Sequence, residues 1–185
     1  MVKRQSKPQP KWTDVKAKLA NFDRSGFLSL IQDLYAAHKD NQTFLHNRFG
    51  LVEDVLGTYK QTIARWLYPD IFQRQATTSV AKAKQAIADY KKAVGDPAGV
   101  AELMVFFCEQ GAGFCKDVGN DDEIYLGALV RMFGQALGVA KTLPDASQAG
   151  LIARLDRVRT ISHKLGYGVG EDMDLVFAEY MEREG

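Results

Sequence analysis

The sequence predicts an all-α protein, a single-domain antiparallel bundle of about seven or eight helices. Apolar residues recur at steps of three and four through most of the chain, as they do on one face of an α-helix. No segment shows the alternating pattern of a half-buried strand. The stretches between the periodic segments are short, which favours antiparallel neighbours. A stack of helical hairpins is the minority alternative, because no repeated consensus is visible.

Length and composition are those of one soluble globular domain. The chain has 185 residues, 46% of them hydrophobic and 25% charged, and a net charge of +1. We expect no transmembrane helix, because no run of about 18 apolar residues is present. Cys108 and Cys115 would lie too far apart on one helix to pair, since a disulfide needs Cα atoms within about 7 Å. Free thiols and the absence of an apolar leader segment predict a cytoplasmic protein.

Residues 1–11 are basic and poor in apolar side chains. Their composition predicts a disordered tail, followed by one helical domain over residues 12–185. The cations of the tail are Lys3, Arg4, Lys7 and Lys11. Together with the lysines of a later helix, they are the candidate contacts to nucleic acid. Those lysines are Lys82, Lys84, Lys91 and Lys92.

Four helices are predicted in the first half of the chain. "WTDVKAKLANF" is a short amphipathic start, and a longer helix follows with Asp23 as its N-cap. We expect the stretch "KDNQTF" to be a loop. A third helix ends before Pro69, because the residue before proline disfavours helical geometry. The fourth begins near Val80, carries a narrow apolar seam and is capped by Gly95.

The central helix is predicted at Val100–Lys116. Only Glu102 is polar between Val100 and Cys108, and a helix that is apolar nearly all round is buried on most sides. Its expected core residues are Leu103, Met104, Phe106 and Phe107. Three further amphipathic helices are expected, the first beginning at Asp121 or Asp122 and the others at "SQAGLIARL" and "EDMDLVF".

A pair of opposite charges is predicted between the central helix and the next one. Arg131 lies on a helix face that is otherwise bare, and Glu109 or Glu102 is the obvious partner. A buried pair of this kind is usually structural, and a functional pocket with a perturbed carboxylate is the alternative. The bare positions, which favour close packing of another backbone, are Gly127, Gly134 and Gly138.

The stretch "LGYGVGEDMD" is interpreted as a turn between two helices. A dinucleotide loop would need a strand before its glycines, and the preceding residues here are helical. We expect Gly166 to adopt a positive φ as a helix cap. Glu171 and Asp172 would then complement the positive end of the following helix. A metal site formed by Glu171, Asp172 and Asp174 with His163 is the alternative, although the spacing of a calcium loop is missing.

The stretch "FLHNRF" places His46, Asn47 and Arg48 between aromatic residues. One interpretation is a polar recognition surface, with Arg48 binding phosphate or carboxylate. The other is an anchor at a helix start, with the aromatic residues inward and the polar residues outward.

Four stretches in order resemble a family of small bacterial proteins known as a domain of unknown function. They are "NQTFLHNRF", "YKQTIARWLYPD", "AKAKQAIADYKKAVGDPAGVAELMVFFCEQGAGF" and "LGYGVGEDMDLVF". The resemblance extends from about Trp12 to Tyr180. It implies a cytoplasmic, bacterial, single-domain helical protein and provides no catalytic residues.

The sequence therefore predicts a non-enzymatic helical interaction protein that binds a protein partner or itself. No catalytic, cofactor-binding or metal-binding constellation is recognisable. Two alternatives stay open. One is a nucleic-acid-binding module that uses the basic tail and the lysine face of residues 82–92. The other is a small enzyme or metal protein that uses Glu109, Arg131 and the carboxylates of residues 171–174.

Overall fold

The computed structural model describes residues 10–70 and 77–182. Within these ranges the chain forms nine α-helices and no strand, which confirms the all-α prediction. The chain divides into two compact units, Met1–His46 and Asn47–Gly185, and each is described by itself. Of the predicted tail, only Pro10 and Lys11 are described, and the predicted division into tail and domain stays a prediction.

The bounds of the helices follow from their caps and hydrogen bonds. The first unit contains α1 (Trp12–Leu19), α2 (Arg24–Ala37) and most of α3 (Lys39–Arg48), inside which the boundary between the units falls. The second unit begins with α4 (Val55–Leu67), α5 (Val80–Ala93) and α6 (Pro97–Val118). It continues with α7 (Glu123–Ala140), α8 (Asp145–Ser162) and α9 (Val169–Glu182).

Aspartates start four of these helices. Asp23, as predicted, accepts a hydrogen bond from the backbone of α2 at 2.7 Å, and Asp54 does the same for α4. Asp96 and Asp122 cap α6 and α7 at 2.8 Å. A side-chain oxygen at this position accepts from an N–H that has no partner within the helix, which fixes where the helix begins.

The second unit is built around α6, which packs against α4, α5, α7 and α8. Leu103 and Phe107 are fully buried, as predicted. Met104 and Phe106 are half-buried and line the edge of the core instead, because they lie on a different side of α6. α7 contacts α9 as well as α6, and α9 also packs on α8. None of the described helices is long and apolar enough to cross a membrane.

The loop predicted at "KDNQTF" is wrong, because these residues belong to α3. The helix has no apolar period, so the hydrophobic pattern could not indicate it. Side chains at its start support it instead. Asn41 and Gln42 donate to the carbonyls of Leu34 and Tyr35 at the end of α2, at 2.7 and 3.1 Å.

Candidate functional site

The apolar face of α2 is open to solvent. Phe27, Ile31 and Leu34 recur at steps of four and three, and Leu28 and Tyr35 lie beside them on the same face. No residue of α1 or α2 is buried, and Leu28 is 63% exposed. The face that an amphipathic pattern normally places in a core therefore lies at the surface.

The segment before α2 extends this apolar character. Trp12 and Val15 of α1 are exposed, and Phe22 packs against Phe27 with ring centroids 5.7 Å apart. We call the exposed large apolar residues of this segment the α1–α2 surface: Trp12, Val15, Phe22, Phe27, Leu28, Ile31, Leu34 and Tyr35. Exposed apolar residues that are scattered singly are normal. A contiguous exposed apolar face, such as that of α2 with Phe22 beside it, is typical of an interaction site.

Arg154 of α8 connects two carboxylates of α6. Its Nε and Nη2 donate to the two oxygens of Glu109 at 2.8 and 2.7 Å, and its Nη1 donates to Glu102 at 2.5 Å. Glu102 also pairs with Nζ of Lys60 on α4 at 2.6 Å. We call these four side chains the Arg154 network. They are all partly buried, and they join α4, α6 and α8.

The pKa directions in the Arg154 network are those of a permanent ion pair. Burial alone would raise the pKa of Glu102, but hydrogen bonds from Arg154 and Lys60 outweigh it, and the pKa is lowered. Hydrogen bonds to Glu109 raise the pKa of Arg154. A general acid needs a carboxyl whose pKa is raised toward neutrality. These two directions favour an ionised Glu102 and a charged Arg154, which is the arrangement of a structural ion pair.

The predicted pairing of Arg131 with Glu109 or Glu102 is wrong, because Arg154 binds both of these carboxylates and Arg131 is exposed on α7. No other described backbone approaches the glycines near Arg131 within 4 Å of an added Cβ, and one of them is close to a side chain of another helix instead. A Cβ added at Gly134 would lie 3.3 Å from Val176 of α9, whereas nothing lies within 4 Å at Gly138.

Arg131 instead lines a groove of about 540 Å³ between the start of α7 and the start of α9. Asp172, Gly127 and Tyr167 line the same groove, so two of the candidate residues share one depression. Tyr167 has φ +58, a backbone conformation that non-glycine residues adopt at a cost of about 1–3 kcal/mol. Arg131 and Asp172 give this groove one positive and one negative side chain.

The turn between α8 and α9 differs from the prediction. Positive φ angles occur at Tyr167 and Gly168, so the predicted positive φ at Gly166 is wrong. The end of α8 unwinds through tight turns, in which Lys164 and Leu165 donate to carbonyls three residues earlier. The positive φ angles therefore lie one and two residues beyond the expected position.

Gly170 is close-packed against the end of α8. An added Cβ would lie 2.6 Å from Cα of His163. This contact brings the His163 ring to α9, where Nε2 lies 3.1 Å from Asp174 and Nδ1 lies 3.9 Å from Glu171. Glu171 and Asp172 occupy the first turn of α9, as predicted.

Asp174 is engaged by Arg159 as well as by His163. The hydrogen bond from Arg159 is the main reason why the pKa of Asp174 is lowered. Arg159 also donates to Asp156 at 2.8 Å. In the described part of the chain no three His, Cys, Asp or Glu side chains are grouped so that they could hold a metal ion.

The polar residues of "FLHNRF" lie in separate surroundings. His46 shares a hydrogen bond of 2.9 Å with the hydroxyl of Tyr35. Asn47 is 5% exposed, whereas the phenylalanine after Arg48 is 69% exposed. Arg48 donates to the carbonyl of Ala93 at the end of α5, at 3.1 Å. The arrangement with aromatic residues inward and polar residues outward is therefore reversed at Asn47.

The lysines of α5 have different surroundings. Nζ of Lys82 lies 3.9 Å from the ring centroid of Trp66, and Arg65 lies 5.3 Å from the same ring. Lys84 is partly buried, and this burial, with the nearby charge of Arg131, lowers its pKa. The exposed candidates are Lys11, Lys82, Lys91 and Lys92. The candidates that lie outside the described residues are Lys3, Arg4 and Lys7.

Cys108 and Cys115 are buried and unpaired, as predicted. Burial raises the pKa of both thiols, so they stay protonated at neutral pH. A cysteine nucleophile requires a thiolate and access to solvent. These two residues therefore fill the core as small apolar side chains.

A groove of about 810 Å³ lies between the end of α7, α8 and the end of α9. Its apolar part is formed by Ile152, Phe177 and Met181, and Lys141 and Asp145 lie among its polar residues. Neither this groove nor the α1–α2 surface was recognised as a site from the sequence, because a periodic pattern does not indicate what covers an apolar face.

Comparisons of the chain with protein-family models, with curated proteins and with solved structures find no match. The resemblance to a bacterial family therefore stays a prediction.

Proposed function

We propose that this protein is a non-enzymatic helical interaction protein and that the α1–α2 surface is the part that binds. One observation supports this proposal above the others. Eight large apolar side chains are exposed from Trp12 to Tyr35, seven of them in two helices without a buried residue and one, Phe22, between these helices. Exposed apolar surface is unfavourable in water, and burial against a partner removes it.

The second unit supplies what an interaction protein needs as a scaffold. Its core is continuous from α4 to α9. The Arg154 network is internally paired, and the two thiols are buried and protonated. The Arg154 network and the two thiols thus support the fold, whereas α1 and α2 contain no buried residue.

Photo-crosslinking from neighbouring positions of α2 tests the proposal. A photo-reactive phenylalanine analogue replaces Leu28 on the apolar face or Ser29 on the opposite face, and the full chain is irradiated inside the producing cells. Both positions are exposed, so neither substitution removes a core contact. We expect crosslinked adducts from position 28 and few from position 29. Equal yields from both positions, or no adduct from position 28, would contradict the proposal.

A second function, binding of single-stranded nucleic acid, is favoured by the contact between Lys82 and Trp66. Proteins of this kind combine cations with aromatic rings on which bases stack. Lys91 and Lys92 are exposed on the same helix. The test is a gel-shift titration of the full chain and of a Lys82→Ala/Lys91→Ala/Lys92→Ala variant. Binding that weakens steeply with salt and is lost in the variant would support this function. Equal binding by both proteins would exclude this face.

A further inference from the structure

We infer that the occupant of the α1–α2 surface is a second copy of this chain, bound in a symmetric dimer through α2. This inference rests on the proposed function, in which the surface binds a protein. It adds the identity of that protein. The area of the surface, its balance of charge and the amphipathic pattern of α2 support it.

The area of the α1–α2 surface matches what one partner contributes to a stable interface. Its eight side chains are on average about half exposed. At about 150–250 Å² for each aromatic side chain, the four aromatic members alone present roughly 300–450 Å² of apolar surface, and the four aliphatic members add to it. A standard stable interface buries about 800 Å² from each partner. Trp12, Val15 and Phe22 contribute to this area, so an interface of ordinary size needs α1 and the residues before α2 as well as α2.

The charge of the segment is balanced, so two copies do not repel each other. Residues 12–37 contain three cations and three carboxylates. The cations are Lys16, Lys18 and Arg24, and the carboxylates are Asp14, Asp23 and Asp33. A surface selected for a basic or acidic partner would carry the opposite excess of charge. A neutral apolar surface is complementary to its own copy.

The pattern of α2 fits a two-fold axis. Ile31 lies at the middle of the apolar face, with Phe27 and Leu28 on one side and Leu34 and Tyr35 on the other. Two copies of α2 can pack antiparallel with their Ile31 side chains at the centre. Phe27 and Leu28 of each copy then lie against Leu34 and Tyr35 of the other copy. In such an isologous contact the same surface serves both partners. Antiparallel packing also places opposite ends of the two helix dipoles together.

Sedimentation equilibrium of the full chain over a wide concentration range tests the inference. We expect the wild type to change from monomer to dimer and Leu28→Asp to associate at least about a hundredfold more weakly, because each substitution occurs twice in a symmetric interface. Ser29→Asp adds the same charge to the opposite face of α2. Ile124→Asp replaces an apolar residue that is 80% exposed on α7. Both controls should associate like the wild type.

A wild type that stays monomeric at every concentration would overturn the inference, as would unchanged association of Leu28→Asp. Circular dichroism checks that the variants are folded, and Ile31→Asp repeats the test at a second position of the same face. The photo-crosslinking adducts separate this inference from the proposed function. Adducts of twice the chain mass support both. Adducts with other proteins alone would retain the proposed function and refute the dimer.

Discussion

At the scale of single residues, two kinds of contact position the end of α8 against α9. The absence of a side chain at Gly170 lets the backbone of α9 approach His163, and charged hydrogen bonds to Asp174 hold the two helices there. The glycines of this turn are therefore not equivalent. Gly166 has open space around it, and its φ is not positive.

Substitution of the two glycines by alanine should separate these roles. Gly170→Ala should lower the free energy of unfolding by about 1–3 kcal/mol, because its Cβ would overlap the backbone of His163. Gly166→Ala should change it by less than about 0.5 kcal/mol, because nothing is displaced. Urea denaturation of the two variants measures the difference. A larger loss in Gly166→Ala would contradict the described turn.

The carboxyl of Glu102 should contribute a pH-dependent part of stability. Its pKa is lowered in the folded state, so its contribution is fully present above its unfolded value of about 4.5 and is lost as the pH falls through the folded pKa. Glu102→Gln should thus be less stable than the wild type at pH 7, and the gap should narrow below about pH 4.5. Urea denaturation between pH 3 and pH 7 measures the gap. A gap that is constant over this range would mean that the pairing is absent.

At the scale of helices, α6 organises the second unit. It has more buried residues than any other described helix and contacts four neighbours. The sides of α6 toward α4 and α8 carry charged residues as well as apolar ones. Glu102 and Glu109 lie there, where the core meets solvent.

Truncation of Phe107 should destabilise the protein by about 3–5 kcal/mol, because the side chain is 1% exposed and leaves a cavity that its neighbours fill only in part. Phe106→Ala removes the same atoms from a half-buried position one residue away and should have a smaller effect. Chemical denaturation of both variants makes the comparison. Equal losses would show that α6 is rotated relative to the described packing.

Loss of the Arg154 side chain should weaken the attachment of α8 to α6 and so lower the stability of the protein. Arg154→Ala leaves Glu102 and Glu109 partly buried without their shared cation, and we expect a loss of about 2–3 kcal/mol. Arg157 lies on the same helix and is exposed, so Arg157→Ala should change stability by less than about 0.5 kcal/mol. Thermal unfolding of the pair tests the network, and similar melting temperatures would contradict it.

The predictable part of the fold is local. Aspartate caps and apolar periods indicated eight of the helices, because both signals are contained within about one turn of chain. α3 has neither an apolar period nor a recognised cap, and it was missed. The partner of Glu109 could not be predicted, since Arg131 and Arg154 are equally suitable in charge and only the rotation of α7 and α8 selects between them. In the same way, the pattern of Phe27, Ile31 and Leu34 predicted an amphipathic helix and not what covers its face.

At the scale of the whole molecule, stability and the proposed association belong to different parts of the chain. The core, the Arg154 network and the buried thiols belong to the second unit. The α1–α2 surface belongs to the first unit and lacks buried residues of its own. Substitutions in α2 should therefore change association without changing the unfolding of the second unit.

Hydrogen exchange of the α2 amides, followed by mass spectrometry of the full chain at low and at high protein concentration, tests this assignment most directly. We predict that the segment Arg24–Ala37 exchanges more slowly at high concentration, because the second copy covers its apolar face. The amides at the start of α7, around Ile124, should exchange at the same rate at both protein concentrations. Fast exchange of α2 at both concentrations would contradict association through this face. Slow exchange at both would show that the face is already covered within a single chain.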